Sequence, residues 1–164
     1  MSLLSRRGAR SGQSRRDGER VLASCTAADG TDLAGTRSAL YLGEHRVPWH
    51  LVEASEWERD EETWRVSEVG TFGQPRPEHA FVLPAPGVFL ELVRERVSAT
   101  VVLQRRVAVH GKRGLWVIAR RPSVGDEPLT WIYEYDAGID PFDPVVRQAA
   151  AQGLADAKSE VGLG

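Results

Sequence analysis

Short apolar runs separated by polar turns fill most of this chain, and only two stretches carry the 3.6-residue repeat of a helix. "ERVLASCTA" (19–27) has strand composition, and the Asp29-Gly30 pair that follows marks a tight turn. "LAGTRSALYLG" (33–43) reads as a second strand, broken or kinked at Gly35. In "EHRVPW" (44–49) Pro48 lacks the N–H that a central strand donates, so the segment belongs at a sheet edge or a strand start.

The stretch "EASEWERDEETWRV" (53–66) predicts a hairpin around Asp60-Glu61, with Trp57 opposite Trp64 and Ser55 opposite Val66. Both indoles then share one sheet face, where such a cross-strand pair adds roughly 0.2–1 kcal/mol. Neither turn residue favours a tight primed turn, so a longer loop is the alternative. Glu56, Glu58, Asp60, Glu61 and Glu62 fall at the tip and on the opposite face. Acid–base chemistry needs carboxylates whose pKa values are driven apart in a dry pocket, and a hairpin tip is wet.

"FGQPRPEH" (72–79) is a loop and "AFVLP" (80–84) a short buried strand. From about Pro86 a helix is predicted, with Phe89, Leu92, Val93 and Arg96/Val97 inward and Glu91, Arg94 and Glu95 outward. Pro86 suits a first turn, where its missing N–H costs nothing. "SATVVLQRRVAV" (98–109), "LWVIARR" (115–121) and "LTWIYEYD" (129–136) then form three antiparallel strands, joined by turns at "HGKRG" and "PSVGDEP". Asp143 and Pro144 are the N-cap and first residue of a closing helix. Its face of Val146, Ala150, Gly153, Ala157 and Val161 suits close packing or association.

The expected fold is therefore α+β: a strongly bent antiparallel sheet or barrel closed by a helix (19–97), then a three-stranded meander and a C-terminal helix (98–164). Six arginines among the first 20 residues, against Asp17 and Glu19, make that segment +4 and leave −6 for the rest of a chain of net charge −2. Residues 1–18 have no apolar repeat and read as a disordered basic tail. The lone Cys25 has no partner for a disulfide and reads as a small buried apolar residue. No apolar run approaches the roughly 20 residues that span a bilayer, and no hydrophobic block follows the first arginines, so a cytoplasmic location is expected.

The opening "GERVLASC", the strand "TRSALYLG", the run "HRVPWHLVEASEW" leading into a hairpin, and the helix "FLELVRERV" resemble a bacterial pleckstrin-homology-like domain over residues 19–97. The whole chain is also similar to a family of small bacterial proteins. The resemblance implies a binding or assembly module. Its usual basic cluster between the first strands is missing, because "AADGTD" is acidic. That leaves no phosphoinositide-type site at the loop.

The remaining candidate chemistry is thin. His45, His50, His79 and His110 lack metal-ligand spacing, and Glu134, Asp136, Asp140 and Asp143 do not match a calcium loop. No phosphate loop, dinucleotide fingerprint or nucleophile elbow is present, so neither cofactor nor metal nor catalytic residue is assigned. One cluster stands out: Arg105, Arg106, His110, Lys112, Arg113, Arg120 and Arg121 on a single predicted hairpin, with Trp116 among them. With its turn at Gly111-Lys112, Arg106 would face Val117 and Arg120 would face Leu103. Such a ribbon is either a solvated face balanced by Glu127, Glu134 and Asp136 or a seat for an anionic polymer. The reading is a non-enzymatic binding or scaffold domain for a protein partner or a second copy. A nucleic-acid-associated protein using the basic tail and the 105–121 hairpin, and an unrecognised enzyme, are the alternatives.

Overall fold

The computed structural model describes residues 14–70, 76–123 and 125–162, and residues 1–13 of the tail expected over 1–18 lie outside them. In chain order the strands are β1 (Arg15–Arg16), β2 (Glu19–Arg20), β3 (Ala23–Thr26), β4 (Asp32–Gly35), β5 (Ala39–Leu42) and β6 (His45–Pro48). A 3₁₀ turn at Trp49–Leu51 leads into β7 (Val52–Glu58), β8 (Thr63–Glu68) and β9 (Glu78–Val82). Then come α1 (Phe89–Ala99), β10 (Val101–His110), β11 (Arg113–Arg120), β12 (Thr130–Tyr135) and α2 (Pro144–Glu160). The fold is α+β, as expected. Among the described residues the strands form four separate antiparallel sheets, β1-β2, β3-β4-β5-β6, β7-β8-β9 and β10-β11-β12, and no closed barrel.

Several expectations hold. Pro48 ends the edge strand β6. Trp57 pairs with Trp64 and Ser55 with Val66, although the tip is a four-residue loop, Arg59 to Glu62, with Glu62 at φ +49°. The three late strands form the predicted meander. Asp143 caps α2 by accepting a hydrogen bond from Val145 N at 2.8 Å, with Pro144 following.

Others are corrected. Order starts ahead of Glu19, because Asp17 and Gly18 both adopt positive φ and close an Arg15–Arg20 hairpin, a primed turn written in "RRDGER". Residues 33–43 are two strands. Thr36 N donates to Ala39 O, and Thr36 Oγ1 accepts from Ala39 N, turning the chain back after Gly35. Helix α1 starts three residues late, since Gly87 at φ +55° interrupts helical geometry after Pro86. Strand β9 alternates between exposed and half-buried residues rather than being buried throughout, because successive side chains point to opposite faces and one face looks to solvent. Cys25 is half-buried, against the core rim, and burial pushes its thiol up.

The register of β10 with β11 also differs from expectation: Arg106 faces Trp116, Leu103 faces Ala119, and Arg120 faces Val101. A bulge at Val109, next to the turn, moves the pairs from Ala108 to Leu103 by one, and a second at Val102 moves Arg120 one further, to Val101. Gly114 is required there, because a Cβ would collide with Val107 O.

The larger core lies between α1 and the first sheets. Trp49, Trp64, Phe89, Leu33, Leu40 and Leu83 are fully buried there, with Val93 beside them. Each contributes roughly 1.5–3 kcal/mol relative to exposure. Both indole N–H groups are satisfied, Trp49 by Thr36 O and Trp64 by Ser55 Oγ, each at 2.8 Å. A second core, Leu115 and Val117 under Ala150 and Ala157, joins β10–β12 to α2.

Candidate functional site

The predicted basic hairpin exists, but its cations diverge. On β10 alternate residues turn toward α2, and Arg105 is one of them: its guanidinium lies 3.2 Å from Glu160 and 3.7 Å from Asp156 on that helix. Arg106 points to the opposite face, where it pairs with Asp136, donates to Lys112 O at 2.8 Å, and lies 5.4 Å from the Trp116 ring. Asp136 also accepts from Gly114 N, and chiefly the Arg106 bond lowers its carboxyl to about 2. His110, Lys112 and Arg113 are exposed at the turn, and Arg121 is exposed at the far end. The balancing acid foreseen on β12 is therefore present one residue past its end. The eight residues do not converge on one surface.

Arg120 has the least foreseeable position. It is 5% exposed and donates to Val52 O and to Glu53 O, the latter at 3.2 Å, so β11 is tied to the start of β7. Around it lie Glu53, bonded to Arg76 at 2.6 Å, and His50, 4.0 Å from Glu127. Burial dominates all three groups. It pushes Glu53 up despite Arg76 and Arg120, and lowers both His50 and Arg120. His50 Nδ1, Glu53 Oε2 and Arg120 Nε have no partner among the described residues. Perturbed groups of this kind occur at functional sites and in structural ion networks alike. Here the geometry is that of a strut, since Arg120 is committed to two main-chain carbonyls.

A third constellation escapes sequence reasoning. His45 on β6, Glu68 at the end of β8 and His79 on β9 meet where two sheets adjoin. His45 Nε2 and His79 Nε2 lie 3.0 and 2.7 Å from the same Glu68 Oε2. The imidazole centroids are 5.6 Å apart. Burial alone would raise Glu68, but hydrogen bonds from His79 and His45 outweigh it and hold the carboxyl below its ordinary value. Two imidazoles and a carboxylate are a ligand set for a transition metal. Metal motifs with short fixed spacing cannot reveal it, because Glu68 is 23 residues from His45 and 11 from His79. The only sequence signal is indirect: the β7–β8 hairpin is legible, but the β8–β9 register that brings His79 to Glu68 is not.

The other acidic groups stay apart. Glu56, Glu58, Asp60, Glu61 and Glu62 are all exposed, as a wet hairpin tip requires. Asp140 accepts from Phe142 N, Asp143 caps α2, and Asp136 holds Arg106, so the 134–143 acids form no common site. No helix among the described residues is long and apolar enough to cross a membrane. No family model, curated protein or solved structure matches the chain.

Proposed function

We propose that the chain is a non-enzymatic, cytoplasmic binding module that takes up an extended strand of a partner protein along β10. The observation that carries this reading is the position of β10, a ten-residue strand at the edge of its sheet. Between its two bulges, Leu103 to Ala108 keep regular register with β11, and their other edge has no strand beside it among the described residues. Main-chain groups on such an edge supply affinity in strand addition, and neighbouring side chains supply specificity. Val102 (38% exposed) and Trp116 (37%) offer apolar contacts beside it. The small-residue face of α2 is not available, because it is packed on β10 and β11.

A pleckstrin-homology-like origin for residues 19–97 is consistent with the run of antiparallel strands followed by the amphipathic helix α1. The nucleic-acid reading has less support, since Arg105, Arg106 and Arg120 are occupied internally. Affinity purification from native cells, with Val102→Lys/Trp116→Glu as the control, tests the proposal. Wild type should retain a partner protein that the double variant loses. Recovery of an uncomplexed monomer with either bait, or retention that ignores the double substitution, overturns it. Self-association in sizing runs that the substitutions abolish would replace the partner by a second copy.

A further inference from the structure

We propose that His45, Glu68 and His79 bind a divalent transition-metal ion of the zinc class, which clasps the β3–β6 sheet to the β7–β9 sheet. The three donors come from three strands in two sheets, and one donor atom from each lies within 4.8 Å of the others. Around a tetrahedral ion with bonds of about 2.0–2.1 Å, ligand atoms stand roughly 3.3 Å apart. The present 2.7 and 3.0 Å separations from Glu68 to the imidazoles need open by only a few tenths of an ångström.

Ligand type selects the metal. Two imidazole nitrogens and one carboxylate suit zinc, cobalt, nickel or copper, whereas magnesium and calcium prefer all-oxygen shells. Exposure fits an ion that enters from solvent. The Glu68 side chain is 17% exposed and His79 29%, while His45 at 52% leaves the outer side open to water or an exogenous ligand. An anionic carboxylate held by two imidazoles supplies the negative charge that a dication needs. Without metal the same three groups form a hydrogen-bonded bridge, so the site is pre-assembled.

The test uses the untagged, full-length chain stripped with a chelator and titrated with zinc chloride by calorimetry and with cobalt(II) by visible absorption. One ion per chain with micromolar or tighter affinity is expected, with a tetrahedral-type cobalt spectrum and a raised thermal midpoint in zinc. His45→Ala, His79→Ala and the shape-preserving Glu68→Gln should each weaken binding at least tenfold. His110→Ala, at an exposed histidine elsewhere, should leave it unchanged. Circular dichroism checks that each variant is folded, and His45, half-exposed on an edge strand, is the substitution least able to disturb the core. Absence of one-to-one binding in the wild type, or binding that survives in folded His45→Ala and Glu68→Gln, overturns the proposal and leaves an ion-paired clasp.

Discussion

Helix α1 meets its sheets through large side chains, whereas the residues α2 buries fully are no larger than valine, with Leu154 half-buried beside them. In the first region the gap is filled by Trp49, Trp64 and Phe89, and the missing side chain belongs to the sheet. A Cβ at Gly35 would meet Leu92 of α1 at 2.7 Å and the Trp49 ring at 3.0 Å. In the second region the missing side chain belongs to the helix: a Cβ at Gly153 would meet Val107 Cγ2 at 2.5 Å and Val117 Cγ2 at 3.3 Å. Helix-to-sheet distance is thus set by which partner gives up its bulk. The first region can be damaged by removing atoms, the second by adding them.

The largest expected effect tests the first half of that contrast. Trp64 is fully buried, edge-on to Phe89 at 5.3 Å and stacked near Phe81 at 6.1 Å. Trp64→Ala should cost about 3–5 kcal/mol in urea unfolding. A loss under about 1 kcal/mol would mean that the aromatic core is not what holds α1.

The strut between the regions comes next. Arg120→Met keeps much of the volume but leaves the carbonyls of Val52 and Glu53 without their donor, a cost of about 1–3 kcal/mol. Following tryptophan fluorescence and far-ultraviolet dichroism together should show the two regions beginning to unfold at different denaturant concentrations. Coincident, unshifted transitions would show that the tie contributes nothing to their coupling.

The smallest effect is the most diagnostic. Alanine is favoured over glycine inside a helix by about 1 kcal/mol. Even so, Gly153→Ala should destabilise the protein by about 1 kcal/mol net, because its Cβ would stand 2.5 Å from Cγ2 of Val107, a β-branched side chain with few rotamers. Val107→Ala introduced with it should restore part of the loss, a coupling that a double-mutant cycle reads directly. A stabilised Gly153→Ala would place α2 farther from the sheet than the structure has it.

The contrast also separates what was legible from what was not. Local patterns carried the helices, the Trp57–Trp64 hairpin, the Asp143-Pro144 cap and the small face of α2, since each depends on neighbours a few residues apart. A break at Gly35 is legible, but a full reversal into two strands is not: it rests on the Thr36–Ala39 hydrogen bonds and on Leu92 and Trp49 pressing on that glycine. The register of the basic hairpin is not legible, because the bulges at Val109 and Val102 have no composition of their own.

The sequence by itself determined the α+β composition, the order of most elements and the alternation that decides which face of each strand is buried, because those follow from chain geometry within a few residues. Only tertiary structure decided where the charges went. Arg105 and Arg106, adjacent in sequence, leave opposite faces of β10 for acids on α2 and beyond β12. His45, Glu68 and His79 come together because sheet packing sets distances between strands that no spacing along the chain records.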